Sequence, residues 1–286
     1  LIKTFNHVII LEKSEEMKSY YFLAGLPRSG NTLLSSILNQ NPDLMVSANS
    51  FMCDHLFATA KLQFDNRYKN FPDEKSLINL IQGSLESYYK DWEAKHIIDR
   101  GPWGTPPNLF ILQNYLIDEP KIIVTVRDIV EIITSFIRVN PKQLMVLHDK
   151  QVKEGKRFLK TYKDKTELMC EMIMDPTGQL EHALFSLSNL LEEENRKYLH
   201  IVEYNDLVND TENTIKSIYE FLELDYYSHN YNYIHQFSVN GIEYDDSFYG
   251  GDLHKVKKKI KPKKYEVSDY LPPHLIKRYS NIEFWK

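Results

Sequence analysis

Cysteine is nearly missing from this chain of 286 residues, with Cys53 and Cys170 the only two. Two thiols so far apart in sequence exclude a disulfide framework and a cysteine-rich zinc site, and they fit a reducing compartment. Long apolar runs are missing as well. Nothing approaches the roughly 18 to 20 uninterrupted apolar residues of a membrane span, and the run Val8 to Leu11 is too short for the core of a signal peptide. There is no surplus of positive charge either: the formal net charge is -5. The chain as a whole therefore has no electrostatic footprint for nucleic acid or an anionic membrane, and any anion site must be a local concentration of basic groups. Internal repeats are absent, and the one biased stretch, Lys255 to Lys264, reads KVKKKIKPKK.

What is present is ordinary for a globular protein: 42% hydrophobic and 26% charged residues, on a chain long enough to bury a core without staples. A soluble cytoplasmic protein is expected, without membrane or nucleic-acid partners. The chain opens on Leu1 rather than Met, and Met17-Lys18 stand just before the first strand. Residues 1–16 are accordingly expected to be a flexible or non-native extension, and residues 17–286 a single domain.

Four short apolar, β-branched or aromatic runs predict buried strands: Tyr20 to Leu26, His96 to Ile98, Lys121 to Val126 and Leu199 to Val202. Amphipathic segments lie between and after them, at Thr32 to Leu38, Glu74 to Trp92, Pro107 to Leu116, Asp128 to Arg138, Gln143 to Tyr162, Gly178 to Tyr198 and Thr211 to Leu222. Strands alternating with helices predict an α/β fold, a P-loop-type doubly wound parallel sheet of about four to five strands flanked by helices. The irregular, lysine-rich stretch within 141–176 reads as an insertion on the acceptor side.

Gly25-Leu26-Pro27-Arg28-Ser29-Gly30-Asn31-Thr32 follows the first strand and opens a helix. In an open α/β sheet that place holds anions, because the backbone N–H groups of the following helix point outward there. Glycine allows a close wrap, and Ser29, Asn31 and Thr32 offer further donors. The loop departs from the nucleotide triphosphatase pattern at one position: Asn31 stands where that pattern has a lysine for the terminal phosphates. Its only cation is Arg28.

GLPRSGNTLLSSIL resembles the 5'-phosphosulfate loop of the sulfotransferases, in the PRSGTTL form of tyrosylprotein and many bacterial members, with Asn31 replacing the first threonine. The resemblance implies that Arg28, Ser29, Gly30, Asn31 and Thr32 bind 3'-phosphoadenosine-5'-phosphosulfate (PAPS), with its desulfonated form PAP as product and no metal. A second motif agrees. Ile122 to Asp128 and the helix after it resemble the family's strand-arginine-helix segment, in which Arg127 and, eight positions on, Ser135 would hold the 3'-phosphate. ATP lacks that phosphate. Tyr204 in Ile201 to Leu207 is similar to the tyrosine beside the adenine, and Tyr249 to Lys258 resembles the glycine and lysine loop over the 3'-phosphate, with Lys255 and Lys257 the matching cations.

His96 to Trp103 resembles the segment whose basic residue touches the transferring sulfonate; here that residue is Arg100, with Asp99 beside it. Sulfuryl transfer needs positioning, fixed positive charge and a base for the acceptor's hydroxyl or amine. Both bases implied by the resemblance are missing, since Asn49 and Pro102 occupy their positions. Asp99, Asp54 and His55 are the candidates, with Asp99 preferred. A small-molecule, glycan or peptide acceptor is implied. The alternatives are a P-loop kinase and an inactive PAP-binding protein.

Overall fold

The computed structural model describes residues 18–139, 149, 153, 165–249, 253–261 and 265–286. A five-stranded, wholly parallel sheet runs through it in the order β2-β3-β1-β4-β5. Its strands are β1 (Ser19–Leu23), β2 (Leu44–Asn49), β3 (His96–Arg100), β4 (Ile122–Val126) and β5 (Leu199–Glu203). Apart from one short helical turn, Asn66–Asn70, the described α-helices in chain order are α1 (Asn31–Leu38), α2 (Met52–Ala60), α3 (Glu74–Tyr88), α4 (Pro106–Ile111), α5 (Ile129–Val139), α6 (Lys165–Ile173), α7 (Gln179–Leu191), α8 (Tyr204–Asn209), α9 (Thr211–Leu222) and α10 (Pro273–Tyr279). A small antiparallel hairpin, β6 (Ser238–Val239) with β7 (Ile242–Glu243), stands apart from the main sheet.

Both faces of the sheet are covered. Successive side chains of a strand point to opposite faces. Phe22, Ile97, Ile122, Val124 and Val126 accordingly meet side chains of α2 to α7, among them Leu56, Leu85, Leu109, Ile132 and Leu187. Leu23, Val46, Ile98, Ile123 and Val202 meet α1 and α9. This sandwich explains why four strands are continuous apolar runs. The helix after β1 lies on one face and the helix after β4 on the other. Neighbouring strands whose helices part in this way leave a crevice at their carboxyl ends, where ligands of open α/β sheets bind.

The main sheet has the four strands located in the sequence and one more, β2, and several helices are redrawn. β2 is an edge strand whose second half, Ser47-Ala48-Asn49, has no apolar run to mark it. Helix α7 stops at Leu191, before Tyr198. The next three residues are Glu192, Glu193 and Glu194, and acids at a helix C-terminus oppose the helix dipole. The helix expected over Pro107 to Leu116 becomes α4 and one π-helical turn, Leu112–Leu116. The helix expected at Gln143 to Tyr162 falls outside the described residues except for Asp149 and Lys153, as does the extension before Met17. Within 141–176, the described α6 carries Met169, Cys170 and Ile173 into the main core. Among the described residues, no helix is long and apolar enough to cross a membrane.

Candidate active site

The chain leaves β1 still paired to β4, with Ala24 N donating to Ile123 O and Leu26 N to Thr125 O at 2.9 and 2.8 Å. Gly25 makes this close run possible: a Cβ there would lie 2.1 Å from Thr125 Oγ1. The backbone then turns through two left-handed residues, Arg28 at φ 62° and Gly30 at φ 99°. Such a turn aims successive N–H groups into one concavity, a standard way of cradling an anion. Helix α1 begins immediately after it, with no side-chain cap and no acid in its first turn. Its leading N–H groups have no carbonyl partner within the helix.

Two of the expected side-chain donors face inward. Ser29 is fully buried, its hydroxyl donating to Thr125 O at 3.0 Å and lying 2.5 Å from Thr125 Oγ1. Asn31 donates from Nδ2 to Leu26 O at 2.6 Å and accepts from Thr125 Oγ1 at 2.9 Å. Both side chains therefore brace the loop against β4. Thr32, on the same turn, is half-buried.

The second motif arrives at the same place. Arg28 Nε donates to Ser135 Oγ at 3.2 Å, across 107 residues of sequence. Arg127 Nη1 donates to the Arg28 carbonyl at 3.0 Å. Arg127 is buried, held by Glu131 at 3.0 Å and by the Tyr265 hydroxyl at 3.2 Å, and its guanidinium lies 4.1 Å from the centre of the Tyr204 ring. The same ring approaches Gly30, where a Cβ would come within 3.0 Å of Tyr204 Cδ2. Tyr204 thus packs against both the loop and Arg127. Burial lowers the Arg28 pKa from the ordinary arginine range, and the charges of Arg127 and Arg138 lower it further.

Arg100 and Asp99, expected side by side at the ligand edge, separate because adjacent strand residues face opposite ways. Asp99 is fully buried. Ser50 Oγ and Trp103 Nε1 donate to its Oδ1 at 2.9 and 2.7 Å, and the Tyr89 hydroxyl donates to Oδ2. Burial raises its pKa, and these three hydrogen bonds oppose the shift. Asp99 is placed to tie together the chain after β2, α3 and β3. Arg100 is half-buried on the other face, its Nη1 donating to the Tyr244 hydroxyl at 3.3 Å. Among the described residues, neither Arg28 nor Arg100 has a carboxylate at ion-pair distance. Asp54 and His55 are exposed on α2, and His55 is bonded to Ser84 of α3 at 3.0 Å.

A histidine that the sequence did not single out stands beside these arginines. His254 Nδ1 is 2.7 Å from Asp246 Oδ1, and its backbone N donates to Asp246 Oδ2 at the same distance. The imidazole stacks on the Tyr244 ring, centroids 3.8 Å apart at 13°. Burial lowers its pKa, Asp246 opposes this, and the charges of Arg100 and Arg28 add to the lowering. The Arg28 Nη1 bond to the Leu253 carbonyl fixes the segment on the loop after β1. Lys255 and Lys257 are exposed on either side of the inward Val256. Gly250 to Asp252 are outside the described residues. The available signals were the histidine before the lysine run and Asn240-Gly241, a hairpin dipeptide. Both members of that pair are left-handed, at φ 50° and 76°, and turn the hairpin that carries Tyr244 to Arg100.

An uncapped helix N-terminus at the β1 carboxyl end, facing an arginine and a serine from the β4 side, gives this α/β fold the geometry of an anion site. The chain belongs to the sulfotransferase family, whose sequence model matches residues 21–228, from β1 past the end of α9. No curated protein matches the chain in sequence. Among solved structures it is similar to the sulfotransferase domain from the curacin biosynthetic pathway, at 17% identity over 74% of this chain and 75% of that one, TM-score 0.46. It is also similar to the sulfotransferase domain of the Synechococcus PCC 7002 olefin synthase, at 19% identity over 75% and 76%, TM-score 0.44. A third is a sulfotransferase from Alicyclobacillus acidocaldarius, at 13% identity over 73% and 81%, TM-score 0.44.

Proposed function

We propose that this sulfotransferase takes its sulfuryl group from PAPS and passes it to a hydroxyl or amine of its acceptor. The observation that carries the donor is the meeting of Arg28 with Arg127 and Ser135 at the β1–β4 crevice. Two cations and an uncapped helix N-terminus in one place suit a nucleotide with a phosphate at each end. Asn31, turned inward, leaves no cation where a triphosphate site needs one. The residues fit the group: Arg28 and the N–H groups of residues 30–32 would hold the 5' end. Arg127, Ser135, Lys255 and Lys257 would hold the 3'-phosphate, and Tyr204 would offer a ring face.

Bound PAPS supplies an activated sulfuryl group, whose sulfur bonds to the acceptor atom as its bond to the 5'-phosphate oxygen breaks with the electron pair. Arg28 and Arg100 hold fixed positive charge at the two sides of that exchange, preorganised by Ser135, Leu253 and Tyr244. His254 is the base. Asp246 accepts a hydrogen bond from Nδ1–H, which leaves Nε2 as the nitrogen able to accept the acceptor's proton, and it steadies the imidazolium that forms. The lowered pKa keeps the ring neutral and ready at neutral pH. Asp99 positions the chain around the site through Ser50, Tyr89 and Trp103.

Residues 17–286 are read as one domain, since both cores share one sheet. The cytoplasm is the proposed compartment, in keeping with two buried free cysteines. The test is transfer of labelled sulfur from PAPS to a mixture of hydroxyl and amine compounds. Label in a new product is expected; intact PAPS after prolonged incubation with every acceptor class would refute the reading.

A further inference from the structure

A cavity of about 380 Å³ lies between the end of β2 and the β6–β7 hairpin. Its apolar wall is made by Tyr88, Trp92, Phe237, Val239, Ile242 and Tyr244. Tyr244 is the link to the chemistry: its hydroxyl accepts from Arg100 Nη1 and from Asn49 N, both at 3.3 Å, and its ring lies on His254. A molecule in this cavity would therefore lie against Tyr244, a lining side chain that touches both Arg100 and His254. The volume is in the lower part of the range for small-molecule sites, roughly 300 to 1,000 Å³.

The charged residues of the lining are all acids. Glu243 and Asp245 stand in it, both exposed, and no lysine, arginine or histidine does. Outside the cavity the apolar wall continues through Phe51, which is 66% exposed and packs edge-on against Tyr88 with centroids 5.9 Å apart. Aromatic walls favour a ring-bearing guest, and rim carboxylates attract a cation and repel an anion. We infer that this cavity is the acceptor site and that it selects small, ring-bearing hydroxyl compounds without negative charge, the cationic ones best. The inference rests on the sulfotransferase reading above, because it needs a donor bound at Arg28.

The test uses three phenols of similar length that differ in the charge of the tail: tyramine (cation), 4-ethylphenol (neutral) and 3-(4-hydroxyphenyl)propanoate (anion). Each is assayed with the full chain and PAPS, and PAP-induced thermal stabilisation is recorded alongside. Tyramine is expected to exceed the anion in kcat/KM by roughly threefold or more, the scale of an exposed charge pair. Glu243→Lys, on an exposed side chain, is expected to reverse that order while PAP stabilises the variant as it does the parent. Trp92→Ala is expected to raise KM for all three. Turnover of the anion equal to or better than tyramine overturns the inference, as does an unchanged order in Glu243→Lys. PAP stabilisation with none of the three turned over overturns it too, and leaves the donor reading standing. Failure of PAP to stabilise the parent overturns the donor reading itself.

Discussion

Replacing His254 with asparagine isolates the chemical step from nucleotide binding. Asparagine can still donate to Asp246, which holds His254 through Nδ1 and the backbone N, both at 2.7 Å. The local fold is therefore expected to persist, and PAP affinity to stay within about threefold. What is lost is a positioned base, an effect of about 10²–10⁴ in kcat. Asp246→Asn leaves the imidazole in place but removes the carboxylate that sets its tautomer, and a loss of roughly 10–100-fold is expected, as for other partners that orient a histidine. The pH profile gives an independent readout. A base works when neutral, so activity is present at high pH and falls as pH drops through the folded-state pKa. Burial, with Arg100 and Arg28 behind it, lowers that value from the ordinary histidine 6.5 against the opposing pull of Asp246. The acid limb of kcat/KM for PAPS should accordingly lie below pH 6.5, and should vanish in His254→Asn. An unchanged kcat, or the same acid limb in the variant, would refute the assignment.

Two further substitutions separate positioning from chemistry. Arg28→Ala should lower kcat by about 10²–10³, the cost of removing one preorganised donor at the transferring group. Its melting temperature should change little, because Arg28 is half-buried and, among the described residues, its side chain is hydrogen-bonded to Ser135 and Leu253. Asp99→Asn should lower unfolding free energy by about 1–3 kcal/mol in urea titration, since a fully buried carboxylate with three donors loses its charge-assisted bonds. Its kcat should stay within about tenfold of the parent. A hundredfold fall in kcat at unchanged stability would return Asp99 to the role of base.

What the sequence discloses here follows from locality. β1, β3, β4 and β5 are apolar because both faces of the sheet are covered, so each can be read alone. The loop Gly25 to Thr32 and the pair Arg127 with Ser135 are legible for the same reason: each motif lies within one strand, turn and helix, and only their meeting is non-local. β2 escapes because an edge strand ending in Ser47-Ala48-Asn49 has little apolar pattern. The position of Asp99 was available in principle, since alternation along β3 must turn it away from Arg100. His254 was not. It is linked to Asp246 across an irregular segment and reaches Arg100 only through Tyr244 of the hairpin, a contact between residues 144 apart.

The central claim is that the site recognises a nucleotide with a phosphate at each end. Calorimetric titration of PAP and of ATP into the parent chain and into Arg127→Ala tests it most directly. PAP should bind the parent roughly tenfold or more tightly than ATP, equivalent to about 1.4 kcal/mol and within the worth of one charge-assisted hydrogen bond. That advantage should disappear in Arg127→Ala. ATP binding the parent as tightly as PAP, or an unchanged PAP affinity in Arg127→Ala, would contradict it.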